Sequence, residues 1–578
     1  MFCRPCWRRR VYNGNRHGNR MTSAPSSAAD PSARFRLLGI ETSWDGLACA
    51  LFLLATLLVV VTFTDYGITW DEDVHNWYGV LVLNYYLSGF RDLTATNWMD
   101  LYNYGAAFDM SAAILNKISP FDTYETRHLL NGLVGVIGLI GVWKLGRQLA
   151  GPRAGFLAAV FLALTPNYYG QMFNNPKDIP FAVGMVWSLY YLARLAPELP
   201  RPSWATVAKL GFATGMTLGI RCGGLLIFGY LGLLLGLSGV WRAIETRRAG
   251  VLVGDGFMSL WRVLLPVVVI GYAVMLLFWP FAQLDPIHNP LIALANFSHE
   301  IFPFKTLFAG HYFPASDLPW AYLPVHIVLA LPELVLVLLV AALPAAVLVA
   351  RARHWSVPRG PALACFIVAF AVLFPIGYAI AIKAVLFDGM RHFIFVLPLI
   401  AALAAVVMDR FLDWLEDFPY RRWGYGALAL YGMGHLAIMG MLHPDEYVYY
   451  NAFIGGVEGA DGLFKTDYWA NSYAEAVNGL EDHLRAEYGA DYMDHDFTVA
   501  VCGPPISAGF FFPPNFIFDD DRNTADFYIA FTKDDCHKAV PGREIYRVER
   551  MGALLSIVLD RRPYLAAAGS AARLAGVR

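Results

Sequence analysis

Long apolar runs constrain this chain more than any other feature of its sequence. The 578 residues are 57% hydrophobic and only 16% charged, whereas an average soluble domain is about 25% charged. Apolar blocks of about 18 or more residues recur, which is the length that an α-helix needs to cross the hydrocarbon core of a membrane. This composition disfavours a soluble enzyme, a disordered scaffold and a nucleic-acid binder, and no nucleic-acid partner is expected. The sequence predicts a polytopic membrane protein.

The apolar runs predict a mainly α-helical transmembrane bundle of about eleven spans. They lie near residues 47–64, 128–146, 154–167, 179–196, 206–220, 223–241, 263–283, 321–350, 361–384, 392–408 and 424–442. Every second loop between them is rich in Lys and Arg, and basic loops of membrane proteins stay in the cytoplasm. We therefore expect a cytoplasmic N-terminus and an extracytoplasmic C-terminus. The opposite loops contain candidate surface helices near 77–87, 106–118 and 286–304.

Changes in composition divide the chain into four predicted parts. These are a disordered cytoplasmic tail at 1–45, the transmembrane domain at 46–442, a small extracytoplasmic α/β soluble domain at 443–562, and a flexible tail at 563–578. Met21 is an alternative start to Met1. In the soluble domain, a helix is predicted near 472–488 and strands near 497–502, 525–531, 544–548 and 553–559.

The seven cysteines are too scattered for a metal framework. Cys502 and Cys536 both fall in the predicted extracytoplasmic domain, where disulfides persist. Two interpretations are open, a structural disulfide between them or two unpaired buried thiols.

Three acidic residues follow the first span, in the run Trp70-Asp71-Glu72-Asp73. Carboxylates beside an apolar wall have raised pKa values and act as general bases, and a neighbouring Trp suits a carbohydrate pocket. The alternative is a solvated acidic cap on a surface helix, with Asp71 as its N-cap.

Two charged residues, Lys177 and Asp178, precede the fourth span. Lys177 is placed to contact a phosphate at the depth of lipid head groups, and Asp178 to orient a reacting hydroxyl or the first acid. The alternative is that Asp178 caps the helix while Lys177 extends its ammonium group to the interface.

Further polar residues lie on the same predicted outer side. Arg391 is a candidate phosphate ligand because its guanidinium is permanently charged and forked, with Asp388 and His392 beside it. Interfacial anchoring is the alternative for Arg391. His311 is a candidate metal or phosphate contact, although a single loop histidine is usually neither.

These acids, cations and histidines converge on one face from four loops, while the predicted spans are nearly free of ionisable groups. A proton- or ion-driven transporter would need charges near mid-membrane. The pattern therefore favours chemistry at one membrane face on a lipid-borne substrate.

Over residues 45–442 the chain resembles integral membrane glycosyltransferases of the GT-C superfamily, in the branch of the protein O-mannosyltransferases and the lipid A aminoarabinose transferase. The resemblance rests on Trp70-Asp71-Glu72, the surface helices after it and Asp178. The segments 311–314, 387–393 and 443–451 are similar to a bacterial subgroup.

This resemblance implies a polyprenyl-phosphate sugar donor and inversion at the anomeric carbon. Asp71 would be the base with Glu72 as its neighbour or substitute, Asp178 the second carboxylate, and Lys177 and Arg391 the ligands of the leaving phosphate. It also implies a multi-pass protein of a bacterial inner (plasma) membrane. One departure stands out, because relatives often carry an Arg before the second acid and here only Lys177 is near it.

Several properties stay open at this stage. The acceptor is a lipid, a protein or a glycan. The sequence specifies no cofactor, and it is compatible with a divalent metal, which some GT-C enzymes use, although no tight acid cluster compels one. The alternative function is a flippase or transporter of lipid-linked sugars, and a third is a scaffold whose outer domain binds a partner.

Overall fold

A computed structural model describes residues 41–299, 304–351 and 358–567 of the chain. The α-helices are numbered α1 to α21 in chain order, and the 3₁₀ and π-helical segments between them are not numbered. They are α1 Ser43–Thr62, α2 Glu72–Leu87, α3 Ala107–Leu115, α4 Thr123–Ala150, α5 Pro152–Ala163, α6 Pro166–Asn174, α7 Asp178–Glu198, α8 Trp204–Leu218, α9 Leu226–Thr246, α10 Gly250–Ser259, α11 Leu265–Leu276, α12 Pro280–Leu284, α13 His288–His299, α14 Tyr322–Ala330, α15 Glu333–Arg351, α16 Arg359–Ala381, α17 Leu397–Glu416, α18 Arg421–Leu442, α19 Gly456–Ala460, α20 Tyr473–Tyr488 and α21 Ile506–Gly509. The predicted tails fall mostly outside the described residues.

The mainly helical transmembrane architecture is confirmed. Among the described residues, eight helices are long and apolar enough to cross a membrane, or nine when the pair α14 and α15, bent by 116°, counts as one span. The two other predicted spans are α5 and α8, with 12 and 15 residues. They are shorter than the roughly 20 residues that a full crossing requires, which accounts for the difference from eleven. The predicted loop helices are present as α2, α3 and α13, the last described as far as His299.

Close packing of α4 against α6 and α7 depends on glycines spaced along one face of α4. A Cβ atom at Gly135 would lie 2.6 Å from the Cβ of Met172, and one at Gly138 would lie 2.0 Å from the hydroxyl of Tyr168. Small residues let helix backbones approach in membranes, where van der Waals contact replaces much of the hydrophobic driving force. The helix also begins with a capping box, in which Asp122 and Glu125 bind each other's backbone.

The C-terminal region contains a five-stranded sheet. Its strands follow a hairpin in the transmembrane part, so the numbering is β1 Lys305–Phe308, β2 His311–Pro314, β3 Phe497–Val501, β4 Phe516–Phe518, β5 Phe527–Phe531, β6 Arg543–Arg550 and β7 Ala553–Asp560. The sheet order is β4-β3-β5-β7-β6, with β3 parallel to β4 and β5 and with β7 antiparallel to β5 and β6. The predicted helix and four strands are present, whereas β4 and the β1–β2 hairpin were not predicted.

Hydrogen bonds from Asn451 attach the C-terminal region to the bend between α14 and α15. The side-chain amide of Asn451 donates to the carbonyl oxygens of Val328 at 2.7 Å and Leu331 at 3.0 Å, while its backbone N–H donates to Leu329 at 2.9 Å. Asn451 is fully buried. These bonds satisfy carbonyls that the bend removes from the helical ladder, so the bend and the C-terminal region stabilise each other.

Candidate active site

The segment before α2 is held against the C-terminal region at Gly67 and Trp70. The Gly67 N–H donates to the Asn471 side-chain oxygen at 2.9 Å, and the Trp70 N–H donates to the Trp469 carbonyl at 3.1 Å. A Cβ atom at Gly67 would lie 2.1 Å from the Asn471 carbonyl oxygen, so only glycine fits this approach. The two contacts fix the backbone that leads into Asp71.

Asp71 forms an ion pair with Arg391. The Arg391 Nη1 lies 2.9 Å from Asp71 Oδ2, and the side chains are 9% and 36% exposed, respectively. Burial raises the pKa of Asp71, but the charges of Arg391 and Lys177 outweigh it and lower the pKa to about 2. The guanidinium also lies over the rings of Phe387 and Trp469, at 4.9 and 5.1 Å. Asp71 is therefore an ionised, partly accessible carboxylate beside a buried cation.

Glu72 has different surroundings from its neighbour. It is 1% exposed; its Oε2 accepts hydrogen bonds from the backbone N–H and hydroxyl of Thr69, at 2.8 and 3.1 Å, and its Oε1 lies 2.9 Å from His128 Nε2. The Glu72 carboxylate thus stabilises the turn before α2 and binds α4, while Asp71 is the member of the pair that contacts Arg391.

The second acid, Asp178, lies at the start of α7 and is 5% exposed. Its backbone N–H donates to Asn175 Oδ1 at 2.9 Å, and its Oδ1 accepts a hydrogen bond from Arg221 Nη1 at 2.5 Å. The preceding Lys177 places its ammonium 3.7 Å from the centre of the Tyr104 ring. Burial and Arg221 lower the pKa of Lys177 to about 8, against the opposing effect of Asp178.

Asp388 forms a third charged group with lysines of the C-terminal region. It is 3% exposed, and its two oxygens lie 3.3 Å from Lys465 Nζ and 3.5 Å from Lys533 Nζ. Burial raises the pKa of Asp388, but the two lysines lower it overall. The Lys533 ammonium also lies 4.8 Å from the centre of the Trp70 ring. Asp388 and Gly389 both have left-handed backbone, with φ of 55° and 69°, a conformation that Asp and Gly tolerate.

The remaining predicted site residues lie at different distances from this group. His392 is half-buried with its ring 4.8 Å from that of Phe387, next to Arg391. His311 is exposed at the start of β2, and within the described residues it makes no contact with Asp71, Asp178 or Arg391. Cys502 and Cys536 are joined by a disulfide, with Cα atoms 6.4 Å apart, and both are partly buried against the hydrophobic core of the sheet.

A metal ion does not fit the carboxylates of this site. No group of three or more His, Cys, Asp and Glu side chains placed to hold one occurs in residues 41–299, 304–351 and 358–567. Asp71 and Asp178 are instead each paired with an arginine, Arg391 and Arg221. We therefore derive no step that involves a metal.

Four residues of the site were missed from the sequence: Arg221, Lys465, Lys533 and Trp469. Arg221 supplies the arginine that seemed absent beside the second acid. Its signal was an arginine between two predicted spans, and ionisable groups at such positions are usually functional. The other three belong to a region predicted as a separate domain, and no local pattern connects them with Asp388 or Arg391.

A cavity of about 430 Å³ lies next to this group, between the β1–β2 hairpin and the C-terminal region. Lys465 and Lys533, the partners of Asp388, line it together with Thr466, Thr532 and Tyr312. Its wall combines ammonium, hydroxyl, phenol and carboxylate groups, which are suited to polyhydroxylated molecules.

Part of the chain matches the model of a known protein family. Residues 111–254, which include Lys177, Asp178 and Arg221, match the family model of dolichyl-phosphate-mannose-protein mannosyltransferases. This match confirms the resemblance to GT-C membrane glycosyltransferases that the sequence predicts. Asp71 and Arg391 lie outside the matched residues. No curated protein sequence matches the chain.

Three solved structures are similar to this chain at low identity. ArnT from Cupriavidus metallidurans in the apo state is 14% identical over 88% of this chain and 97% of its own, with a TM-score of 0.47. The Archaeoglobus fulgidus oligosaccharyltransferase in the apo form is 12% identical over 80% of this chain, which spans 63% of that protein, with a TM-score of 0.43. The S. cerevisiae protein O-mannosyltransferase Pmt1-Pmt2 complex bound to the sugar donor is 17% identical over 46% and 36% of the two chains, with a TM-score of 0.33.

Proposed function

We propose that this chain transfers a sugar from a polyprenyl-phosphate donor to an acceptor hydroxyl, with Asp71 as the base. The observation that carries the proposal is the pairing of an accessible carboxylate with a buried arginine, at 2.9 Å, beside a lysine that has no carboxylate partner among the described residues. A transfer reaction that releases a phosphate needs these three groups, one to take a proton and two to stabilise an anion.

The cations supply the binding site for the donor phosphate in this proposal. The Lys177 ammonium lies over the face of Tyr104, and its pKa of about 8 keeps most of it protonated at pH 7. The Arg391 Nε is buried and has no hydrogen-bond partner among residues 41–299, 304–351 and 358–567. A buried donor without an acceptor is costly, and a phosphate oxygen would satisfy it. Arg221 holds Asp178 and adds positive charge nearby.

Donor binding would also change the basicity of Asp71. With Arg391 as its partner the carboxylate has a pKa of about 2 and is a weak base. A donor phosphate that attracts Arg391 and Lys177 weakens their effect on Asp71, so its pKa rises toward a value that favours proton removal. The acid would then become a competent base when the donor is in place.

The chemical step follows from these positions. The acceptor oxygen attacks the anomeric carbon from the side opposite the phosphate, as its proton passes to Asp71. The bond between the anomeric carbon and the phosphate oxygen breaks, and its electron pair leaves with the lipid phosphate. The negative charge that develops there is stabilised by Arg391 and Lys177, which are already in position. The products are an inverted glycoside and a polyprenyl phosphate.

We also propose the orientation expected from the basic loops, with the N-terminus in the cytoplasm and Asp71 on the extracytoplasmic side of a bacterial inner membrane. The test introduces single cysteines at two exposed positions, Glu245 for the basic side and Asp317 for the Asp71 side, and treats intact cells with a membrane-impermeant thiol reagent. Labelling at position 317 and protection at position 245 is expected, and the reverse pattern would refute the orientation.

The test of function uses the purified full chain and a panel of polyprenyl-phosphate sugars with lipid, peptide and glycan acceptors. Wild-type protein should consume a donor and form a glycosidic bond, and Asp71→Asn should abolish the bond while leaving membrane insertion intact. Asp73→Asn is a matched control, because Asp73 lies two positions away and accepts a hydrogen bond from the Tyr124 hydroxyl at 2.7 Å. Equal loss in both variants, or activity in Asp71→Asn, would refute the role of Asp71. Movement of a lipid-linked sugar without bond formation would favour a transporter.

A further inference from the structure

A second polar cavity lies at the other end of the helix that carries Asp178. It has a volume of about 360 Å³ and lies between α4, α7 and the start of α8. Residues that line it include Lys144, Trp187, Tyr191, Arg194, Ser203 and Lys209. Neither the transfer chemistry nor the family match assigns a role to it.

The position of the cavity along α7 places it at the opposite membrane boundary. Arg194 lies 16 residues after Asp178 in this helix, and at 1.5 Å per residue the separation is about 24 Å. The hydrocarbon core of a bilayer is about 30 Å thick. Trp204, at the start of α8, is 64% exposed, as is typical of aromatic residues at the membrane interface. The cavity is therefore at the depth of lipid head groups.

The charges at this cavity are unbalanced. Lys144 and Lys209 form no ion pair or hydrogen bond within the described part of the chain, and Arg194 is 3.7 Å from Glu198. The Glu198 carboxylate is already committed, because it accepts hydrogen bonds from the Ser203 N–H at 2.9 Å and the Thr206 hydroxyl at 3.0 Å. Three cations thus line the cavity with one carboxylate, Glu198, while Asp45 of α1, which is ion-paired with Arg147, also acts on Lys144 through its charge.

An aromatic wall accompanies these cations. The rings of Trp187 and Tyr190 are 5.8 Å apart and those of Tyr190 and Tyr191 are 4.9 Å apart. The Trp187 indole N–H donates to the Ile137 carbonyl at 3.1 Å, which fixes the ring. A rigid apolar wall beside three cations suits a molecule with an anionic head and an apolar body.

We propose that this cavity binds the phosphate of an anionic phospholipid, with Lys144, Arg194 and Lys209 as its ligands. Basic pockets between membrane helices on the cytoplasmic side recognise such head groups. A bound lipid would join α4, α7 and α8 at the end remote from Asp71. Phe212, in the middle of α8, is 56% exposed, and this exposed apolar surface on α8 favours a lipid over a soluble phosphate compound as the occupant.

The test compares two triple variants of the full chain in neutral detergent with phosphatidylcholine and increasing phosphatidylglycerol. Native mass spectrometry counts the phosphatidylglycerol that stays bound. One variant is Lys144→Gln/Arg194→Gln/Lys209→Gln. Its matched control is Arg247→Gln/Arg248→Gln/Arg422→Gln, which removes the same charge from exposed residues on the same predicted side of the membrane. Each cation near an anionic lipid contributes roughly fivefold to binding, so the cavity variant should bind on the order of 100-fold more weakly and the control within threefold of wild type.

Three outcomes would overturn the proposal. The first two are an equal loss of phosphatidylglycerol binding in both triple variants and unchanged phosphatidylglycerol binding in the cavity variant. The third is that soluble glycerol phosphate or inorganic phosphate protects the protein against thermal unfolding as well as phosphatidylglycerol does, which would make the ligand a soluble phosphate. Lys209→Gln alone guards against misfolding, because this side chain is exposed and makes no polar contact within the described chain. This single variant should bind phosphatidylglycerol roughly fivefold more weakly, and an unchanged affinity would also contradict the proposal.

Discussion

Replacing Arg391 by Gln should weaken the transfer reaction and shift its pH dependence. In the intact chain the charges of Arg391 and Lys177 exceed the effect of burial and lower the pKa of Asp71 to about 2. Removing Arg391, the larger of the two effects, leaves burial opposed mainly by Lys177, so the pKa of Asp71 should rise. A rise from 2 to about 4 corresponds to about 3 kcal/mol. Because the Asp71 side chain is 36% exposed, solvent screening reduces the expected coupling to about 1–2 kcal/mol.

The assay is kcat/KM for sugar transfer as a function of pH. Asp71 acts as a base only when it is ionised, so activity is lost as the pH falls through its pKa. Arg391→Gln should move this acid limb upward by about one pH unit, and loss of the phosphate contact should lower kcat/KM by roughly 10²–10³-fold. Arg391→Lys keeps the positive charge but loses the forked guanidinium. The fall of kcat/KM at low pH should therefore occur near the same pH as in wild type, while part of the rate is lost.

A cation of the same connecting segment provides the control. Lys383 lies 3.1 Å from Asp317, and both side chains are more than 70% exposed, so Lys383→Gln should leave rate and pH profile unchanged. If Arg391→Gln matched this control in both measurements, the pairing with Asp71 would have no part in the chemistry and the reasoning would be refuted.

Three further perturbations test other parts of the structure. Arg221→Gln should destabilise the protein by about 2–3 kcal/mol, because Asp178 is left buried without its partner, and it should also reduce the affinity for the donor. Arg221→Lys should restore part of the stability, measured by thermal unfolding, and part of the affinity, measured by donor titration. Hydrogen bonds to Glu446 and Asp65 outweigh burial and raise the pKa of His443 to about 9. The stability that protonated His443 contributes should therefore be complete below pH 6.5 and lost as the pH rises through 9. His443→Gln should abolish this dependence of the free energy of unfolding on pH. Cys502→Ser removes the disulfide between Cys502 and Cys536, which are 34 positions apart, and should lower the free energy of unfolding by about 3–4 kcal/mol. A reductant should destabilise the wild-type protein by the same amount and leave the stability of the variant unchanged.

The features that could be predicted from the sequence are those that local patterns encode. Eight of the predicted spans are present as long apolar helices because hydrophobic length alone specifies a membrane crossing. The strands near 497–502 and 553–559 were predictable from their β-branched and aromatic composition. The boundary of a separate domain at residue 443 stays a prediction, since Asn451 is hydrogen-bonded to the transmembrane part.

The features that could not be predicted depend on contacts between distant segments. Nothing near Asp71 indicates that its partner is Arg391, which is 320 positions away. Asp71 and Glu72 are adjacent and chemically alike, yet only the fold shows that Glu72 binds Thr69 and His128. His311 shares a predicted face with the site, but its position in a short hairpin leaves it exposed. The order of the motifs predicted which loops lie on the same membrane face, but not which side chains contact each other.

The reach of the C-terminal region into the site has a consequence for biosynthesis. Arg391 is made 320 positions after Asp71, and Lys533 a further 145 positions after Asp388. At roughly 5–20 residues per second, ribosomes need tens of seconds between the first and last of these residues. The nascent protein can thus insert its early helices while the site is still incomplete. Truncated products of interrupted translation, lacking Lys465, Trp469 and Lys533, would occupy the membrane without a finished site, so assembly of the chain itself delays the onset of activity until synthesis is nearly over.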